Sequence, residues 1–159
     1  MVFIYKKKIN NQDYFYLRLS RRENGKIIVR DVSYLGKKIS KIIKKAEKDG
    51  KILAVLLFGS SLERQGRDID ICLVLNKKKS NLEMSGKRLE YLREFEDYDI
   101  QVFQQLPLYI RARILKQNLV LLCKDKESLY NLAFETIKEF SLYKRIYNNY
   151  LKYVEKGML

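Results

Sequence analysis

Residues 52–58 (ILAVLLF) are apolar without a break, so the segment has no side to offer to water. Successive residues of an extended chain point to opposite faces. A strand apolar on both faces needs cover above and below, as in the centre of a sheet layered with helices. Gly59-Ser60 ends the run, and after a seven-residue stretch (61–67) Asp68-Ile69-Asp70 opens a second apolar run, ICLVL at 71–75. Residues two apart on a strand share a face, which puts Asp68 and Asp70 together, with Cβ atoms roughly 6.5–7 Å apart, while Ile69 and Ile71 face the core. Left unpaired, two such carboxylates repel and one protonates; a hard divalent cation such as Mg²⁺ removes the conflict and leaves positions for phosphate oxygens. Gly59 lets the backbone approach a ligand, and Ser60 at the start of a following helix supplies a hydroxyl and free N–H groups, which together make a phosphate cradle. The pattern predicts a nucleoside triphosphate–metal site. Taken alone, the residues also fit two solvent-facing aspartates at a strand end.

On the N-terminal side, residues 2–9 and 13–20 alternate as strands around an Asn10-Asn11 turn, and Asn24-Gly25 leads into a third strand at 27–35 closed by Gly36. Tyr14, Tyr16 and Arg18 share one face of the middle strand, opposite Phe15, Leu17 and Leu19. Such a face suits nucleic acid; it equally suits an amphipathic sheet whose tyrosines cover their own strands. From Ile39 the period turns helical, with Ile39, Ile42, Ile43 and Ala46 on one side and Gly50 past the end. The spacing then predicts strands at 51–58 and 68–75, a helix beginning near Ser85, and a strand at 97–103. A helix follows with Pro107 at its first position, then a strand at 118–123 and one long or bent C-terminal helix. Strands alternating with helices imply an α/β (α+β) layered fold.

Composition narrows the chemistry. The chain has no histidine, which removes histidine-based nucleophilic relays and His-ligated zinc. Cys72 and Cys123 both lie in apolar runs and read as buried thiols of a reducing cytoplasm. The longest apolar run, Ile52–Phe58, is too short to cross a membrane. The first residues lack the apolar segment of a signal peptide, so a cytoplasmic location with no membrane attachment is expected. Of the formal +14 charge, residues 1–51 carry +10, from 15 Lys/Arg against 5 Asp/Glu. That excess suits a polyanion, nucleic acid or an acidic protein, or simply a lysine-rich solvated surface.

The Gly59-Ser60…Asp68-Ile69-Asp70-Ile71 stretch resembles the signature of the DNA polymerase β-like nucleotidyltransferases, and specifically their short, minimal members. The resemblance runs over residues 39–125. It includes a third acidic strand residue (Asp99, before IQVF), a proline eight residues on (Pro107), and the segment IRARILKQNLVLLCKD at 110–125. It implies a polymerase β-like sheet flanked by helices over residues 37–159, with 1–36 as a preceding basic β-meander. That meander is in turn similar, through Tyr14-Phe15-Tyr16, Gly25-Lys26 and Tyr34-Leu35-Gly36, to a small β module of some prokaryotic proteins. By the same resemblance Asp68, Asp70 and Asp99 are catalytic ligands of a two-Mg²⁺ site. Gly59, Ser60, Ser61 and Arg64 then hold the phosphates of ATP or another NTP. Asp97 competes with Asp99 for the third position, and the proline spacing favours Asp99. The family commonly places ten residues between Gly-Ser and the Asp pair, against the seven here, Ser61–Arg67, and its small-Arg-Gly is replaced by Leu62-Glu63-Arg64-Gln65-Gly66.

Relatives of this kind are often antitoxins of HEPN-domain toxins, some of which add AMP to a toxin tyrosine. The function implied is NMP transfer to a hydroxyl of a HEPN-type partner, with the tyrosine-rich C-terminal helix docking it in a hetero- or homo-oligomer. Alternatives are a nucleotidyltransferase acting on RNA, DNA or a small molecule through the basic N-terminal region, and an inactive binding module of the same fold.

Overall fold

The computed structural model describes residues 2–62, 69–77, 79–155 and 157, with Ser61 described as backbone only. Arg64 and Asp68, two of the residues expected at the site, lie outside the described residues.

The chain opens with a three-stranded antiparallel sheet, β1 (Val2–Ile9), β2 (Gln12–Glu23) and β3 (Lys26–Gly36), in that order. Its two connections are Asn10-Asn11 and Asn24-Gly25, all four with positive φ, the backbone twist that joins antiparallel strands through two residues. Two register shifts in the β2–β3 ladder, at Phe15/Tyr16 and Leu17/Arg18, twist this sheet. Ile4, Phe15 and Leu17 turn inward and join one hydrophobic cluster with Leu35 and α1 (Ile39–Lys48). Burial of Ile39, Ile42 and Ala46 follows the helical spacing read from the sequence.

The second sheet is mixed, with the order β6-β5-β4-β7. It comprises β4 (Ile52–Phe58), β5 (Ile69–Leu75), β6 (Tyr98–Val102) and β7 (Leu119–Cys123). β4 pairs antiparallel with β5 and β7, and β5 pairs parallel with β6. The unbroken apolar run is thus an interior strand. Val55 and Leu57 face the cluster shared with α1, while Ala54 and Leu56 face a second cluster that includes Cys72, Phe103 and Ile114. Each fully buried Val or Leu stabilises by about 1.5–3 kcal/mol, which is why this strand fixes the layering. α2 (Asn81–Glu94) and α1 cover one face, and α3 (Leu108–Lys116) with the start of α4 (Lys126–Glu155) covers the other.

Two helix starts and the burial of one cysteine depart from the sequence expectation. α2 begins at Asn81, four residues before Ser85, because Ser80 and Glu83 form a reciprocal capping box, with Glu83 N–H donating to Ser80 Oγ at 3.3 Å and Ser80 N–H to Glu83 Oε2 at 3.2 Å. Pro107 caps α3 from just outside the helix instead of occupying its first turn. Cys123, on the sheet edge, is half-buried, whereas Cys72 is fully buried. Burial pushes the Cys72 thiol well above its ordinary value.

The end of α1 is tied to α2 through Asp49. Its carboxylate accepts from Lys87 Nζ at 2.8 Å, the Lys51 N–H at 3.0 Å and the Tyr91 hydroxyl at 3.3 Å. Burial alone would raise the Asp49 carboxyl, but these donors and the Lys87 charge hold it below the ordinary range. α4 runs as one 30-residue helix. Leu129 and Leu132 anchor its first turns, and past the half-buried Phe140 its apolar residues stay in solvent, Ile146 being 69% exposed. Among the described residues no helix is long and apolar enough to cross a membrane.

Candidate active site

Asp70 enters from β5 and Asp99 from β6, and the parallel register makes them direct partners. Neighbouring strands lie about 4.8 Å apart, so the two side chains stand on one face, the face that carries Cys72 and is covered by α3. Asp99 is exposed; its Oδ1 accepts from Gln101 Nε2 at 2.8 Å and lies 4.0 Å from the Arg88 guanidinium. Arg88 is itself oriented by donation from Nε to the Ile100 carbonyl at 2.7 Å. Asp97, the competing candidate, turns the other way and pairs with Lys38 at 2.9 Å. Register therefore selects Asp99 as the neighbour of Asp70.

Opposite Asp70 in the β4–β5 ladder is Phe58, and the chain then turns at Gly59 with φ +82°. A Cβ at Gly59 would come within 2.8 Å of the Asp70 carboxyl carbon, so only glycine lets the backbone lie against this carboxylate. Ser60 follows, exposed, in a single 3-10 turn, Ser60–Leu62, closed by the Leu62 N–H on the Gly59 carbonyl at 3.3 Å. Among the described residues this turn replaces the expected helix N-terminus after Gly59, leaving Ser60 one local turn in place of a helix end.

A cavity of about 430 Å³ opens beside these residues. Phe58, Gly59, Ser60 and Asp70 form one wall, and α3 with the residue after it supplies Ile110, Arg113, Ile114 and Gln117 as the other. Arg113 and Gln117 are not among the residues expected from the sequence. Their signal is periodic: Ile110, Arg113, Ile114 and Gln117 fall at i, i+3, i+4 and i+7, so a cation and an amide interrupt an otherwise buried helical stripe.

Among the described residues no group of three or more acidic, cysteine or histidine side chains gathers as a metal cage. The pair Asp70–Asp99 nonetheless has the donor chemistry that Mg²⁺ takes, carboxylate oxygens on a solvent-facing surface that leaves room for further oxygen ligands. The glycine pressed against Asp70 and the adjoining cavity, with Arg113 on its far wall, fit a phosphate ester beside such an ion. Carboxylates, a close backbone and an arginine together have the chemistry to hold and polarise a polyphosphate.

A family model described as polymerase beta, nucleotidyltransferase matches residues 38–127. The chain is 36% identical over 80 residues to a Methanocaldococcus jannaschii protein assigned as a protein adenylyltransferase; the match takes 48% of this chain and 61% of that relative, less than two thirds of its length. Among solved structures, the fold is similar to a chain from the complex of a tri-AMPylated Shewanella oneidensis HEPN toxin with its MNT antitoxin, with a TM-score of 0.51, 19% identity and coverage of 77% of this chain and 94% of that one. It is also similar to a chain of a toxin–antitoxin structure with AMP-PNP, with a TM-score of 0.51, 18% identity and coverage of 77% and 97%. At such identities the two structural likenesses bear on the fold alone.

Proposed function

The chain belongs to the polymerase beta nucleotidyltransferase family, and from that premise we propose that it transfers AMP from ATP to a hydroxyl of a HEPN-type toxin, so acting as an antitoxin. The observation that carries the reading is the side-by-side register of Asp70 and Asp99 next to the Gly59 turn and the Arg113-lined cavity. The likeness to a protein assigned as an adenylyltransferase supports the transferred group, and the solved structures that share the fold, one an AMPylated HEPN toxin with its antitoxin and one a toxin–antitoxin with AMP-PNP, suggest the donor and acceptor to test.

Asp70 and Asp99, with Asp68 as the sequence pattern suggests, would hold Mg²⁺. When bound, the metal supplies charge neutralisation along the triphosphate and lowers the pKa of the attacking hydroxyl. The residues of the chain do the rest. Gly59 brings the backbone within reach of the phosphates, Ser60 presents its hydroxyl to them, and Ser61 keeps the phosphate-binding role that the sequence pattern gives it. Arg113 and Arg64 balance the charge that builds on the departing pyrophosphate. The acceptor oxygen forms its bond to the α-phosphorus as the bond to the pyrophosphate oxygen breaks. The hydroxyl proton passes to Asp99, the exposed carboxylate of the pair. Transfer needs no histidine, in agreement with the composition.

The test incubates the chain with α-labelled ATP, Mg²⁺ and a HEPN toxin, with bulk RNA in a parallel reaction and Asp70→Asn/Asp99→Asn as the control. Label on the toxin that vanishes in the variant supports the proposal. Label in RNA moves the acceptor to nucleic acid. Absence of both label and nucleotide binding makes the chain an inactive member of its family.

A further inference from the structure

The β-meander spends one face on the core and leaves the other for a different purpose. The ladder register places Tyr5 opposite Tyr16, and Tyr16 opposite Tyr34, so these rings share the face turned away from Leu17. Tyr16 and Tyr34 have centroids 5.2 Å apart, and Tyr14 and Tyr34 6.3 Å, both tilted. Cations are interleaved with them: Arg18 lies 3.4 Å from the Tyr5 ring centroid and Lys37 4.9 Å from that of Tyr14. Tyr34 is 42% exposed. Arg18 is balanced by Asp31 at 2.5 Å, while Lys37 donates to the neutral Gln12 Oε1 at 2.9 Å.

We propose that this face binds single-stranded nucleic acid, bases stacking on Tyr14, Tyr16 and Tyr34 while Lys37 and Lys7, which stands opposite Tyr14 in the β1–β2 ladder, meet the phosphates. Aromatic platforms set among cations are how sequence-tolerant single-strand binding works, because every base offers a π-face. Charge complementarity agrees, since the first 51 residues carry a net +10. An acidic protein segment would satisfy the cations but would leave the ring faces without a matching partner. The surface lies on a different sheet from Asp70 and Asp99, so the inference stands whether or not the chain transfers AMP.

The test uses the full chain, without ATP, and fluorescein-labelled oligo-U and oligo-dT of about twelve nucleotides, read by anisotropy at about 50–200 mM salt. A duplex of equal length and polyglutamate serve as competitors. Both single strands, or either one, should bind more tightly than the duplex, and affinity should fall steeply with salt. Tyr34→Ala should weaken binding about tenfold or more and Tyr34→Phe should restore it, since the ring alone stacks. Lys7→Glu/Lys37→Glu, both at exposed positions, should lower the salt slope by about two, one per lost phosphate contact. The proposal is overturned if neither strand binds at low salt, if the duplex binds equally well, or if polyglutamate competes as effectively as the oligonucleotide. The last result would assign the surface to an acidic protein. Should Tyr34→Ala lose the circular dichroism of the native chain, the lysine variant and the competitors still decide the outcome.

Discussion

Gly59 lies so close to Asp70 that a single added methyl would enter its carboxylate, with the Cβ 2.8 Å from the carboxyl carbon. The backbone there is left-handed, φ +82°, which costs an ordinary residue about 1–2 kcal/mol. Gly59→Ala is therefore expected to displace Asp70 and to lower AMP transfer by roughly 100-fold, the penalty of about a 1 Å misplacement in a reacting geometry. The melting temperature should drop only by roughly 2–8 °C. Parallel assays of label transfer and thermal unfolding check this, and an alanine variant with wild-type turnover would contradict the close approach.

Asp70 and Asp99 should reveal a metal without any turnover. Adjacent carboxylates repel, while Asp99 also accepts from Gln101 and lies near Arg88, so Asp70→Asn/Asp99→Asn should unfold within about 4 °C of the parent in chelator. With Mg²⁺ and a non-hydrolysable ATP analogue at about 100 times Kd, the parent gains about 2.7 kcal/mol, a rise of roughly 5–10 °C, and the variant gains nothing. A parent indifferent to Mg²⁺ and nucleotide by differential scanning fluorimetry contradicts the metal-site reading.

Much of this site was legible in the sequence because its signals are local. The apolar ILAVLLF run could only be an interior strand, and the Asn-Asn and Asn-Gly pairs could hardly be anything but tight turns. The Asp-x-Asp phase set the face on which Asp70 projects. What escaped notice depends on contacts far apart in sequence. Arg113 and Gln117 reach the cavity only because α3 packs across β4 and β5. Asp99 is already favoured over Asp97 by the proline spacing, and the β5–β6 register agrees by setting Asp99 beside Asp70. The start of α2 is set by a local signal, the Ser80–Glu83 capping box, which begins the helix about one turn before Ser85.

Arg113 faces the cavity from the last turn of α3, beside the same wall as Ser60 and Asp70. In the proposed transfer its charge meets the triphosphate, and it is exposed between buried Ala112 and Ile114. Arg113→Ala should raise the KM for ATP by about tenfold, the worth of one charge-assisted hydrogen bond of ~1.5 kcal/mol, and leave thermal stability within about 0.5 kcal/mol of the parent. Arg113→Lys, which keeps a point charge but not the planar fork, should recover part of the loss. Steady-state kinetics on the three proteins separate this from a structural role, in which stability and kcat would fall together.

Tyr98 joins the two sheets one residue before Asp99. Its hydroxyl donates to the Leu35 carbonyl at 2.8 Å, and its oxygen sits 2.5 Å from where a Cβ of Gly36 would be. The end of the meander is thus seated on the strand that carries Asp99. Burial pushes this phenol up from 10.0 to about 12; the Lys38 backbone N–H opposes the rise and the Asp97 charge adds to it. A folded-state value above the unfolded one contributes stability that is complete below the unfolded pKa and is lost as pH rises through the folded one. For Tyr98 that loss falls between pH 10.0 and about 12. Tyr98→Phe strands the buried Leu35 carbonyl, which should cost about 1–2 kcal/mol at neutral pH, or roughly 2–8 °C in melting temperature. It should also make the decline in stability above pH 10.0 shallower, because the phenol no longer ionises preferentially in the unfolded chain. Denaturant melts of the parent and Tyr98→Phe from neutral to alkaline pH measure both effects, and a variant as stable as the parent at neutral pH would show that the Tyr98 hydroxyl does not hold the two sheets together.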